Sequence, residues 1–323
     1  MIRKNILKYI ENEYVTENDL IEKLNTNHEK LNENIIKLID AGYEIKHNDE
    51  KGYKLISTPD ILEPFEIQRN LTAKYIGHSI HYYKEVTSTN DIAEKFVELE
   101  EPEGSVIIAE KQTAGRSRKK TDWISPEGGI WMTLILRPDV DLLQASKLTI
   151  VTGVALAKTL NDDFDIQAGI KWPNDILIDD KKMCGILTEA ITEKDKIKAV
   201  LVGIGVDVNI DEEKIPDDLK PIATTINKHV NKAIKRSDIL NAFFNHFEIF
   251  YDEFIKGNFK YTINEWRRLS TTTGKRVKVY KKGKALCADA IGIDNTGALI
   301  VELDDGKLEK ITSGEVKILK EDD

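Results

Sequence analysis

Three rhythms of apolar residues follow one another along the 323-residue chain, and no single fold satisfies all of them. In the first, Ile6, Leu7 and Ile10, then Leu20, Ile21 and Leu24, recur at helical spacing over residues 3–15 and 17–24, and Asn25-Thr26-Asn27 interrupts them. A further helical stripe through Leu31, Ile35, Ile36, Leu38 and Ile39 stops at Gly42, where a glycine suits a helix end. Tyr43 and Ile45, then Tyr53 and Leu55 beyond the turn Asp49-Glu50-Lys51-Gly52, alternate as a hairpin does. Three short helices and a hairpin predict a winged helix-turn-helix over residues 1–60, with the helix after the break offered to the DNA major groove.

Pro59 and Pro64 mark a linker, because proline disfavours helix at the residue before it. A larger domain, 67–269, then alternates β-like runs (106–109, 130–136, 176–178 and 199–204) with helical patterns at 143–161 and 237–256, which predicts an α+β core with a substantial sheet. Phe243, Phe244, Phe247, Phe250, Tyr251 and Phe254 recur at helical spacing and read as core packing. From about residue 270 to 323 the runs 277–280, 285–288, 299–303 and 316–319 are short and separated by the turn signals Lys282-Gly283, Asp294-Asn295-Thr296-Gly297 and Asp304-Asp305-Gly306. A small closed β-barrel fits that pattern, since closure removes exposed strand edges.

The charged fraction of 32% and apolar fraction of 41% are ordinary for a globular protein, and the net charge of −9 argues against a strongly basic nucleic-acid coat or affinity for anionic membrane. Cys184 and Cys287 are too few for a disulfide framework and lack zinc-site spacing, so two free thiols in a reducing cytoplasm are expected. No apolar run approaches a membrane span. Residues 1–60 hold nine Lys/Arg against twelve Asp/Glu, and the presumed reading helix opens His28-Glu29-Lys30-Leu31-Asn32-Glu33. Carboxylates facing phosphates are unfavourable, so DNA binding and a protein-contact or dimerisation role both stay open for this segment.

Residues 110–190 concentrate the chemistry. Gly115-Arg116-Ser117-Arg118-Lys119-Lys120 places four cations in five positions beside a glycine; Lys171-Trp172-Pro173-Asn174-Asp175 and Lys181-Lys182-Met183-Cys184-Gly185 follow. Together they read as one anion-handling site, although a basic run alone is more often a solvated surface. Lys182 alone would pass for a turn lysine, Asn174-Asp175 for a capped turn, and Trp123 for a core residue. His78 and His81 lie in a strand-like context without further ligands, and Trp266-Arg267-Arg268 reads as a packing element at a domain junction. The Gly203-x-Gly205 pair has no helix-opening glycine after it, which excludes a dinucleotide fingerprint.

The ordered series Ser88-Thr89-Asn90, Gln112, Gly115-Arg116-x-Arg118, Trp123, Lys171-Trp172-Pro173-Asn174-Asp175, Lys182-x-x-Gly185-Ile186-Leu187 and Gly203-Ile204-Gly205-x-x-x-Asn209 resembles the biotin protein ligase family. The order of domains resembles its bifunctional ligase/repressor branch. The resemblance implies a winged helix, then a mixed sheet with flanking helices like that of class II aminoacyl-tRNA synthetases, then an SH3-like barrel. It implies that biotin carboxylate attacks the α-phosphate of ATP to give biotinyl-5'-adenylate and pyrophosphate. A lysine of a biotin carboxyl carrier protein, or of a carboxylase's carrier domain, then takes the biotinyl group and AMP leaves.

Two anions meet in the first step, so fixed cations are needed where charge accumulates. The resemblance assigns Lys182, Arg116 and Arg118 to catalysis. Biotin is assigned to Ser88, Thr89, Asn90, Gln112, Gly115, Arg116, Ser117, Arg118, Lys182, Gly185 and Gly205. Arg118, Trp123, Asn174, Asp175 and Asn209 are assigned to ATP and the adenylate, with Asp175 holding magnesium. Where the family has glycine, this chain has Ser117 and Lys120, and Thr121 stands where an arginine is frequent, which should stiffen the loop. A homodimer on a two-fold operator is implied for the repressor branch. The alternatives are a ligase whose winged helix never touches DNA, a ligand-sensing repressor without catalysis, and a lipoate ligase. The adenylation cations argue against the non-catalytic sensor. The Gly-Arg-x-Arg and Lys-Trp-Pro-Asn-Asp segments argue against the lipoate ligase.

Overall fold

The computed structural model describes residues 2–118, 122–230, 234–281 and 284–319. The expectations placed on Lys119, Lys120 and Thr121 of the basic loop, and on the turn Lys282-Gly283, fall outside the described residues. The chain forms two compact units, Met1–Ile61 and Leu62–Asp323.

In the first unit, helices α1 (Ile2–Ile10), α2 (Glu17–Leu24) and α3 (His28–Asp40) precede strands β1 (Glu44–Asn48) and β2 (Gly52–Ser57), which pair antiparallel. The Thr16 side chain accepts from the Asp19 amide at the start of α2, and the Asn27 side chain accepts from the Lys30 amide at the start of α3. Ile6, Leu7, Ile10, Leu20, Leu31, Ile35 and Leu38 fill the core with Val15, Tyr43 and Leu55. Two expectations are corrected. The first helix ends at Ile10 and does not run to residue 15, because Val15 exchanges both backbone hydrogen bonds with Tyr53 and so joins the hairpin. Ile36 and Ile39 are 58% and 48% exposed, since they sit roughly 130° and 70° around the helix from the stripe 31, 35, 38. Gly52 is required where it stands: its φ is +84°, and a Cβ there would lie 2.1 Å from the Val15 carbonyl oxygen.

The second unit is built on one mixed sheet. Its elements are α4 (Pro64–Ile67), β3 (Ile80–Val86), α5 (Thr89–Glu98), β4 (Ser105–Gly115), β5 (Trp123–Ser125), β6 (Ile130–Leu136), α6 (Leu142–Ala145), α7 (Leu148–Phe164), β7 (Gly169–Lys171), β8 (Asp175–Ile178), β9 (Lys181–Glu193), β10 (Lys196–Val206), α8 (Arg236–Ile255) and α9 (Phe259–Leu269). The strand order is β3-β4-β6-β10-β9-β8-β7, with β5 paired to β4; β3 and β4 run parallel and the other pairs antiparallel. The single helix expected over 143–161 is two, α6 and α7, divided at Ser146-Lys147.

Period-two alternation sorts the sheet's side chains between two cores. Val106, Ile108, Met132, Leu134, Val200, Val202 and Ile204 face a large core with α7 and α8, where the Phe243–Phe254 stripe is buried. Ile107, Ile135, Ala199 and Leu201 face the opposite side, against Ala93 and Val97 of α5.

Strands β11 (Arg276–Lys281), β12 (Lys284–Ile293), β13 (Leu299–Glu302), β14 (Leu308–Ile311) and β15 (Glu315–Ile318) form a five-stranded antiparallel sheet ordered β14-β13-β12-β11-β15. Sequence rhythm does not mark β14. Val277, Val279, Ala288, Leu299 and Val301 belong to the same continuous core as the mixed sheet. No described helix is long and apolar enough to cross a membrane.

Candidate active site

On the α5 face of the sheet, alternation brings Thr133, Gly203, Gly205, Gly185, Leu187 and Glu189 to one side, and the missing side chains of three glycines leave room there. Gly205 is the cross-strand partner of Gly185, and Gly203 that of Thr133. A Cβ on Gly203 would stand 2.4 Å from Asn90 Oδ1, and one on Gly205 would stand 2.4 Å from Trp123 Nε1. The glycines therefore form a floor on which the Asn90 amide and the Trp123 indole rest. Above it lies a cavity of about 1450 Å³.

One end of the cavity is uncharged. Ser88 precedes α5 and is buried with Thr89 and Asn90. The Thr89 amide donates to Gln112 Oε1 at 2.8 Å, and Gln112 Nε2 donates to Ser125 Oγ at 2.9 Å. Thr133 Oγ1 lies 2.6 Å from Asn90 Oδ1 and 2.9 Å from Thr89 Oγ1, while Asn90 Nδ2 donates to Glu189 at 2.7 Å. These amides and hydroxyls hold one another in one orientation.

The cations occupy the rim and the middle. Neither guanidinium of the basic loop stands as an open fork. Arg116 donates to Asp91 at 2.9 Å, to Glu94 at 3.0 Å and to Glu189. Arg118 donates to Asn174 Oδ1 at 2.6 Å and to the Gly314 carbonyl at 2.8 Å. Burial lowers the pKa of Arg118, and Asp175 and Glu315 oppose that shift.

Lys182 reaches the cavity through a β-bulge. Asp175 pairs with Gly185 and Ile176 with Cys184, but Leu177 pairs with Lys182, so Met183 is an extra residue on β9. The extra residue inverts the alternation and turns Lys182 to the side of Gly185, away from the core that Cys184 and Ile186 enter. Its Nζ lies 2.6 Å from Asp175 Oδ1 and 5.0 Å from the centroid of the Trp123 ring. Its backbone is clipped on both sides: the Lys182 amide donates to the Ile222 carbonyl, and the Thr224 amide donates to the Lys182 carbonyl. His229 fastens that clip, with Nε2 2.8 Å from Thr224 Oγ1 and Nδ1 3.2 Å from Asp179.

Ser88, Thr89, Asn90, Gln112, Arg116, Ser117, Arg118, Trp123, Asn174, Asp175, Lys182, Gly185 and Gly205 all line this cavity. Gly115 and Asn209 do not. Gly115 is buried in β4 behind Trp123 and Ser125, and the Asn209 side chain donates to the Ile234 carbonyl at 3.0 Å. The two cysteines are free, Cys184 buried and Cys287 exposed, and His78 and His81 are engaged by the Ala73 carbonyl and by Glu101.

Sequence reasoning missed Thr133 and Glu189, which hold Asn90 and Arg116, and, in the cavity wall itself, Asp207, the run Ile215, Pro216, Leu219 and Ile222, and the segment Gly314–Leu319 of the last sheet. Asp207 was within reach, since it lies between Gly205 and Asn209 in a motif already recognised. Burial raises its carboxyl pKa to about 8, with Lys182 pulling the other way. Among the described residues no three His, Cys, Asp or Glu side chains gather as a metal cage. Asp175, half-buried and paired with Lys182, is a single carboxylate of the kind that holds a magnesium ion together with phosphate and water.

Residues 82–209 match the biotin/lipoate A/B protein ligase family, and residues 272–319 match the biotin protein ligase C terminal domain. The chain is 33% identical over 321 residues to the bifunctional ligase/repressor BirA of Bacillus subtilis, covering 98% of each. It is 26% identical over 314 residues to the bifunctional ligase/repressor BirA of Escherichia coli, covering 95% of this chain and 93% of that one. The solved structure of the biotin protein ligase from Aquifex aeolicus in complex with biotin and ATP matches with a TM-score of 0.65 at 28% identity, over 75% of this chain and 99% of that one. The chain belongs to the biotin protein ligase family.

Proposed function

We propose that this chain activates biotin with ATP to biotinyl-5'-adenylate and transfers the biotinyl group to a lysine of a biotin carboxyl carrier protein. The observation that carries this reading is the convergence of Lys182, Arg118, Asn174 and Asp175 with a rigid amide and hydroxyl cluster across one glycine floor. A ureido ring needs buried hydrogen-bond partners, which Ser88, Thr89, Asn90 and Gln112 supply, joined by Thr133. Gly185 and Gly205 let the Trp123 indole lie close against the sheet, which leaves the cavity above it open to the apolar part of biotin. A carboxylate oxygen then attacks the α-phosphorus and pyrophosphate leaves.

The Lys182 ammonium balances the charge gathered between carboxylate and phosphate, and its ion pair with Asp175 keeps it aimed there. Arg116 and Arg118 grip the anions after exchanging their protein acceptors for ligand oxygens. Trp123 offers its ring to adenine, and Asn174 braces the phosphates. Gly115 acts by letting the strand pass close behind Trp123, and Asn209 by holding the chain beside the adenylate. Asp175 would hold magnesium, which would supply charge neutralisation at the phosphates. In the second step the carrier lysine's amine attacks the acyl carbon and AMP departs.

The three-way division at about 1–60, 67–269 and 270–323 belongs to this proposal, with the first segment a winged helix-turn-helix and the last an SH3-like barrel. So do cytoplasmic location and a homodimer that represses transcription from an operator in response to biotin. The ligase reading is tested by biotin-dependent exchange of pyrophosphate into ATP. Lys182→Ala should lower the exchange rate at least about a hundredfold, the scale of a lost electrostatic stabiliser, with its circular dichroism unchanged. Wild-type exchange rates in that variant would contradict the role.

A further inference from the structure

Beyond the Asp175 that pairs with Lys182, a further carboxyl group lines the anion site without a partner of its own among the described residues. Asp207 follows β10 and its backbone is fixed on both sides: its amide donates to the Met183 carbonyl at 2.8 Å, and its carbonyl accepts from the Ile226 amide at 2.9 Å. Its side chain lines the same cavity as Lys182, Asp175, Gly205 and Trp123. Among the described residues no hydrogen-bond donor meets its carboxylate, although Asp175 has Lys182 at 2.6 Å and Glu189 has both Asn90 and Arg116.

The proposed reaction brings a carboxylate and a triphosphate into this cavity. An ionised, unpartnered carboxylate in the wall would repel both. Carrying a proton, the same group becomes an O–H donor that an anion's oxygen can accept. We propose that Asp207 enters the adenylation step as a neutral acid and donates a hydrogen bond to an oxygen of the bound substrate. The proton stays on Asp207 throughout, since the displacement at phosphorus needs none. This inference rests on the ligase reading.

The surroundings favour the neutral form. Burial raises the pKa of this carboxyl to about 8. The charged or titratable groups that act with it are Lys182 and Cys184, both on β9. Lys182 favours the ionised form, and its ion pair with Asp175 at 2.6 Å weakens that pull without removing it.

The test is the pH profile of biotin-dependent ATP–pyrophosphate exchange in the full chain between pH 6 and 9.5, for wild type, Asp207→Asn and Asp207→Ala. Wild-type kcat/KM should fall about tenfold per pH unit above a midpoint near 8, as a single essential acid requires. Asp207→Asn, which keeps a donor that cannot ionise, should lose that alkaline limb. Asp207→Ala, with no donor, should also be flat but at least about tenfold below Asp207→Asn throughout, the size of a charge-assisted hydrogen bond. A wild-type profile that stays flat to pH 9.5 overturns the proposal without any variant. So does an unchanged alkaline limb in Asp207→Asn, or equal rates for the two variants. Absence of wild-type exchange at pH 7 would instead overturn the ligase reading itself.

Discussion

Gly205 shows how much of this site is made by side chains that are not there. Its backbone lies in an ordinary strand, so alanine is conformationally tolerated, yet a Cβ would come within 2.4 Å of Trp123 Nε1 and lift the indole from the floor. Gly205→Ala should therefore weaken binding of the nucleotide whose adenine the Trp123 ring faces by about 1–3 kcal/mol, roughly 5- to 150-fold in Kd, as overpacking does. Isothermal titration with ATP measures this, and an unchanged Kd would show that the seat of the indole on the floor does not govern nucleotide binding. The motif glycines and the ordered cations were legible in the sequence because they fall close together along the chain. Thr133 and Glu189 were not, because each joins the site only through strand register, Thr133 opposite Gly203 and Glu189 opposite Leu201. Lys182 was legible as a residue but its direction was not, since the bulge at Met183 appears only when β8 and β9 are paired.

Among the elements, the long helices and buried strands followed the rhythm of the sequence because each is long enough for its period to repeat. The failures were local. Helix α1 stops early because Val15 is claimed by a partner almost forty residues away, and the short, half-exposed strand β14 has too little alternation to read. Helix α3 raises the functional question at this scale. Its outward positions include Glu29, Glu33 and Asp40 against Lys30 and Lys37, and Lys37 is already paired with Glu33. If α3 reads an operator, few phosphates are neutralised, and the salt dependence of binding should be shallow. A gel-shift titration over salt, with and without biotin and ATP, is expected to show binding that strengthens when the adenylate forms and a slope in log affinity against log salt of only about −2 to −4. Binding that ignores the ligands, or no binding at all, would leave α3 as a surface for protein contact.

At the scale of the molecule, the cavity belongs to the whole second unit. Arg118 joins the basic loop to Gly314 of the last sheet, and Trp172 donates through Nε1 to the Gly297 carbonyl and through its amide to Thr272 Oγ1. The last sheet therefore closes the site that the mixed sheet builds, and the two share one core. The most direct test of the account follows a labelled biotin through the full chain with magnesium-ATP and a carboxylase carrier domain. The account predicts label on one lysine of the carrier, dependent on ATP and absent with the Lys182→Ala variant. Label that never reaches the carrier while ATP is still consumed, or transfer that proceeds undiminished without Lys182, would contradict it.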